Sequence, residues 1–190
     1  MKKVNNTRLL PVWVCFTFSV TCLVIIFSLS KNGIFLYIGN PTHGIPHYLF
    51  ICLFVILTCV SGIYLVHSKL KDKGITAIAM IGSFFILAYT FLYGALSLET
   101  VYTTFSSPNN QAHFLVAERA TGDVYQLSKT KLFMKHLADI QTDDEFKPFD
   151  NMDYQLEWKD NNELVIKYGF SHSLFPEKYR EIKVTYSSLE

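Results

Sequence analysis

The chain has 190 residues, half of them apolar and only 17% charged, with 17 Lys and Arg against 16 Asp and Glu. That length holds one ordinary domain, or a few membrane helices and a small soluble module. Balanced charge argues against a nucleic-acid binder, which carries a basic surplus, and 16 Phe with 11 Tyr exclude a disordered chain.

The averages conceal two unlike halves. Residues 9–30 carry no formal charge between Arg8 and Lys31, no Asp, Glu, Lys or Arg occurs between Lys31 and Lys69, and residues 74–98 are again uncharged. Each apolar run is about 20 residues, roughly 30 Å as a helix and so the thickness of bilayer hydrocarbon. A charge at the centre of such a span costs about 2.5–3.5 kcal/mol, and none of the three carries one. These runs predict transmembrane helices at residues 9–30, 47–67 and 75–98. Lys2, Lys3 and Arg8 with Ser28-Leu29-Ser30 imitate a secretory signal, but the run exceeds the usual h-region of about 7–15 residues, so a retained helix is expected.

Basic flanks set the expected orientation. Lys2, Lys3 and Arg8 precede the first span, Lys31 alone follows it, and Lys69, Lys71 and Lys73 lie between the second and third. The positive-inside rule therefore places the flank 1–8 and the connection 68–74 in the cytoplasm of a plasma-membrane protein. The loop 31–46 and everything after the third span fall outside. In that loop Gly33, Gly39, Pro41, Gly44 and Pro46 prevent a long helix, and Ile34 to Ile38 is expected at headgroup level. His43 and His47 have the spacing of a helical metal pair, but Gly44 and Pro46 between them favour an interfacial loop without a metal.

Cys15, Cys22, Cys52 and Cys59 are the only cysteines, and each pair is seven residues apart. One antiparallel register sets Cys15 level with Cys59 and Cys22 with Cys52, an interface in which Cys acts as a compact hydrophobe.

From Glu99 the composition changes. The tail carries ten basic and fifteen acidic residues, a formal −5, against seven basic and one acidic before it, a formal +6. Residues 99–106 read as a linker and 107–190 as a small antiparallel domain of five or six strands. Strand patterns cover residues 112–118, 124–127, 154–158, 164–168 and 182–186, with Lys159 to Asn162 as a hairpin turn. Residues 131–140 fit a helix or a strand. The fold class is thus an α-helical membrane protein with three transmembrane helices plus a mainly antiparallel β C-terminal domain, α+β overall.

The turn Ser107-Pro108-Asn109-Asn110 leading into the first strand, and the stretch Trp158 to Ile166, carry a resemblance. They resemble multi-pass membrane proteins of Gram-positive, Bacillus-type bacteria that end in a small extracytoplasmic β domain. The resemblance covers roughly the last 85 residues of the chain, rests on turn and strand chemistry, and implies a lineage and a compartment. It transfers no activity to particular residues.

The segment from Thr142 to Asp153 concentrates five carboxylates, Asp143, Asp144, Glu145, Asp150 and Asp153, around Phe146 and Phe149. It lacks the spacing and central Gly of an EF-hand, so it reads as a surface turn, or as a partner-contact loop anchored by its aromatics. His113, His136 and His172 read as scattered structural histidines. No nucleophile elbow, zinc-protease helix, phosphate loop or dinucleotide fingerprint occurs, and the spans hold no ionisable Asp, Glu, Lys or Arg of the kind used in transport. The sequence therefore points to a non-catalytic protein without cofactor or nucleic-acid partner. It would stand in the lipid bilayer and display an acidic domain for binding or sensing in the cell envelope. The second reading is a self-protection (immunity) or transport-associated accessory protein acting through its helices. In both, a membrane or envelope protein is the expected partner.

Overall fold

The computed structural model describes residues 6–39, 45–143, 146–159, 162–171 and 179–187, and His43, His172, Asp144 and Glu145 lie outside that set. Two compact units result: one holds the three helices, and the other joins the segment between the first two helices to the chain after the third.

In the helical unit, α1 (Asn6–Lys31), α2 (His47–Leu70) and α3 (Lys73–Ser97) have 26, 24 and 25 residues. All three are long and apolar enough to cross a membrane. At 1.5 Å per residue they exceed the roughly 30 Å of hydrocarbon. Helices satisfy their own backbone polar groups, which hydrocarbon demands. Phe18, Phe27, Ile78, Phe84 and Phe85 are among the many large apolar side chains left exposed along α1 and α3, a surface suited to lipid. The α2–α3 turn is short. Lys71 takes a left-handed φ of 52°, and Asp72 Oδ1 accepts from the backbone N–H of Gly74 at 2.7 Å and Ile75 at 3.2 Å, capping α3.

The helix hairpin is out of the register expected from its cysteines. In that register Ser19 would stand level with Val55; instead the Thr58 hydroxyl donates to the buried Ser19 Oγ at 2.9 Å. That is three residues further along. Ser30 Oγ and His47 Nε2, 2.9 Å apart, keep the same offset. Small hydroxyl residues that bond across the helices fix the alignment, whereas thiols of similar size offer only weak donors. All four cysteines are free, and Cys52 faces α3, its thiol 3.9 Å from the Thr90 carbonyl. The helices approach closely there because a Cβ on Gly94 would sit 3.7 Å from Cys52 Sγ.

Among its described residues the β unit contains eight strands. β1 (Ile34–Leu36) comes from the inter-helix segment, followed by β2 (Val101–Ser106), β3 (His113–Glu118), β4 (Gly122–Leu127), β5 (Phe133–Ile140), β6 (Tyr154–Lys159), β7 (Glu163–Gly169) and β8 (Tyr179–Thr185). All pairings are antiparallel, in a five-stranded sheet ordered β1-β5-β4-β3-β2 and a three-stranded sheet ordered β6-β7-β8. Two expectations change. Residues 101–106 are not a linker but an edge strand, paired from Val101↔Glu118 to Ser106↔His113. Residues 34–36, read as part of an outer loop, form a strand paired with Lys135, Met134 and Phe133, and alternating Phe35 and Tyr37 have an aromatic surface to cover. Phe35 meets Tyr125 and Tyr37 meets Tyr102, both edge-on. The ambiguous segment 131–140 resolves as β5.

The sheets share one core. Phe114, Val116, Val124 and Ile140 of the larger sheet pack with Leu164, Ile166, Tyr168 and Val184 of the smaller. The far side of the larger sheet buries Leu115, Tyr125, Leu127 and Met134 with Tyr37. Two loops at one end of that sheet are built alike. Ser107 and Ser128 each donate a backbone N–H to the carbonyl five residues on (Ala112, 2.9 Å; Phe133, 3.0 Å) and accept back at Oγ. The third residue after each serine, Asn110 or Lys131, takes a φ of 56° or 53°. The side-chain oxygen thus substitutes for a missing ladder bond.

The Cys52–Gly94 approach predicts that oxidation of a Gly94→Cys variant forms a disulfide with Cys52, seen as a gel-mobility change absent from Cys52→Ser. Oxidation of the native chain gives no Cys22–Cys52 product.

Candidate functional site

The acidic-aromatic segment, read as a surface turn or a partner-contact loop, is held against the core by its aromatics. Phe146 and Phe149 are buried. The Phe149 ring stacks at 4.3 Å on Tyr154 and at 6.4 Å on Phe105, so neither aromatic is free to anchor a partner. The cause is Glu118 at the end of β3, only 2% exposed. Its two carboxylate oxygens accept the backbone N–H groups of Phe149 at 2.9 Å and Asp150 at 2.8 Å. Burial pushes the Glu118 carboxyl above its ordinary range, and those two donors pull it back. Asp153 is also committed, accepting the Tyr179 hydroxyl at 2.7 Å. It lies so close to Gly169 that a Cβ there would fall 2.0 Å from its Oδ2. Asp143 and Asp150 remain exposed.

The structure gathers a different group. Asp123 on β4 and Asp139 on β5 are direct cross-strand partners. Between them and the loop the register shifts: Val124 faces Ala138 but Tyr125 faces His136, which leaves Leu137 as the extra residue of a β-bulge. Without the bulge, residues 136 and 139 would point to opposite faces. With it, His136 Nε2 lies 2.9 Å from Asp139 Oδ1 and 3.4 Å from Asp123 Oδ1. The imidazole is braced edge-on by Tyr125, with ring centroids 5.5 Å apart, and its backbone N–H donates to Gly33 of the β1 segment at 2.8 Å. Burial raises the Asp123 carboxyl above its usual range, His136 opposes this, and the neighbouring Asp139 charge adds to it. Two carboxylates and an imidazole at this spacing either share a proton as an ion-paired clasp or ligate a cation.

His113 and His47 have local contacts. His113 Nδ1 and Ser106 Oγ are 2.8 Å apart, and His113 lines an open cleft of about 500 Å³ with Asn110, Gln111, Lys129 and Lys131. His47 meets Ser30 at 2.9 Å. The four cysteines belong to the helical unit and the Asp-His-Asp group to the β unit.

Two measurements follow. Glu118→Ala orphans two backbone donors and lowers the stability of the chain by about 1–3 kcal/mol per buried donor at most, read as a fall in melting temperature in detergent. For Asp123 the sign is set by its raised folded-state value: the stability it contributes is present at low pH and lost as pH rises through its titration. In EDTA, Asp123→Asn therefore gains melting temperature over wild type as pH climbs through and above the carboxylate range.

No family model, curated protein or solved structure matches this chain.

Proposed function

We propose that the chain is a multi-pass protein of the plasma membrane. Its N-terminus is cytoplasmic, and it holds its β unit outside the cell, where that unit binds or senses an envelope component without catalysis. One observation carries the reading: the segment between α1 and α2 and the chain after α3 fold into a single sheet, β1 on β5. A shared sheet supports placing both segments on one side of the bilayer, with two crossings, α2 and α3, between them. That arithmetic matches the alternating basic flanks, which favour the cytoplasm for Arg8 and for Lys69, Lys71 and Lys73. The resemblance of the tail to extracytoplasmic domains of Bacillus-type membrane proteins supports the same compartment.

The outer strands β2, β6 and β8 end their sheets, and such edges accept an extended peptide by strand addition. With Phe146 and Phe149 buried, the contact chemistry falls to exposed carboxylates such as Asp150 and to those edges. The expected partner is an envelope or membrane protein.

Orientation is tested with a Lys129→Cys variant in a chain whose native cysteines are replaced by serine. A membrane-impermeant maleimide labels it on intact cells; labelling only after permeabilisation overturns the reading. Function is tested by deleting residues 107–190. The deletion reproduces the phenotype of losing the whole protein if the β unit does the binding, and a truncated chain that keeps full activity would assign the task to the helices.

A further inference from the structure

The Asp123–His136–Asp139 group contains an electrostatic conflict. Like charges directly opposite on paired strands destabilise the pair, yet Asp123 and Asp139 occupy such positions. A neutral imidazole with its proton on Nε2 has one N–H to give, while two carboxylates face that atom at 2.9 and 3.4 Å. A cation at the point where the three donors converge relieves both the repulsion and the excess of acceptors.

The spacing suits an ion. A tetrahedral centre with bonds of about 2.1 Å holds its donors about 3.4 Å apart. Here one separation, 3.4 Å, equals that figure and the other, 2.9 Å, falls short of it, and all three ligand atoms lie within 4.8 Å of one another. Small side-chain rotations close the difference. The strands hold the backbone in place, and Tyr125, itself against Phe35, limits the imidazole. Side-chain exposures of 39% for Asp123, 29% for His136 and 69% for Asp139 leave an open side for water or a further ligand. The formal −5 of the tail adds a field that attracts cations.

The donor set also selects among ions. Ca²⁺ and Mg²⁺ take oxygen ligands and gain little from imidazole, whereas one nitrogen with two carboxylate oxygens suits the divalent first-row transition ions. We propose that Asp123, His136 and Asp139 bind one divalent transition-metal ion of the Zn²⁺ class, with water completing the coordination. The ion neutralises the two carboxylates and ties β4 to β5 across the bulge. This assignment goes beyond envelope display and does not depend on which side of the membrane the β unit occupies.

The test uses the full chain in detergent, stripped with EDTA and titrated with ZnCl₂ by calorimetry and by thermal unfolding, with CaCl₂ and MgCl₂ in parallel. The wild type is expected to take up one Zn²⁺ in a saturable step and to melt higher when loaded. Ca²⁺ and Mg²⁺ bind at least about tenfold more weakly. His136→Gln and Asp139→Asn each lose about tenfold or more in Zn²⁺ affinity, at least the loss typical of damage around a metal site. Asp139→Asn removes the repulsion, so its metal-free melting temperature stays at or above wild type, which separates lost ligation from lost fold. Absence of saturable Zn²⁺ binding by the wild type, equal affinity for Ca²⁺ or Mg²⁺, or wild-type affinity in either variant overturns the proposal.

Discussion

The β unit depends on a single apolar layer shared by two sheets of unequal size. Each sheet covers the other's apolar face: apart, the smaller would expose Leu164, Ile166 and Val184 and the larger Phe114, Val116 and Ile140. Pressed together, they bury these two sets against each other, with Trp158, Phe105 and Tyr186 at the aromatic margin. A fully buried side chain of this kind contributes about 1.5–3 kcal/mol, and no disulfide stands among the described residues of the unit. The core therefore holds the unit together without covalent staples.

Holding two sheets together also requires a crossing between β5 and β6, and this explains Glu118. Chain leaving one sheet for the other passes with unpaired backbone donors, and an unsatisfied buried donor is costly. One carboxylate at the end of β3 answers two of them, at Phe149 and Asp150. The surrounding acidic residues then have different fates: Asp153 is drawn against Gly169 and Tyr179, while Asp150 stays in water. What looks like one charged run is a structural clip with a solvated rim.

How much of this was legible in the sequence follows from the range of the forces involved. The helices were readable because a bilayer imposes length and apolarity on each span separately. The Trp158 hairpin and β8 were readable because their alternation is local, and Tyr154, Leu156 and Trp158 do pack against the core together. The cysteine register was not, because hydroxyl pairs such as Ser19 with Thr58 decide it and carry no periodic signal. The Asp-His-Asp group was hidden for a sharper reason. Strict alternation sets His136 and Asp139 on opposite faces, and only the extra residue Leu137 brings them together. Asp123 meanwhile falls just before the strand pattern of residues 124–127. A bulge depends on the partner strand, so one strand's pattern cannot announce it. Strand β1 was hidden likewise, since three residues pair with a segment almost 100 positions away.

That last pairing orders events in time. Ile34–Leu36 leaves the ribosome long before Phe133–Lys135 exists, so the first edge of the sheet waits while two further helices are made and inserted. Contacts of such sequence separation form slowly. The five-stranded sheet is complete only when both segments share one compartment. A chain inserted with one helix missing or inverted would leave Phe35 and Tyr37 without Tyr125 and Tyr102 to cover. Those aromatics would then stand in water, without the burial that the paired strand provides.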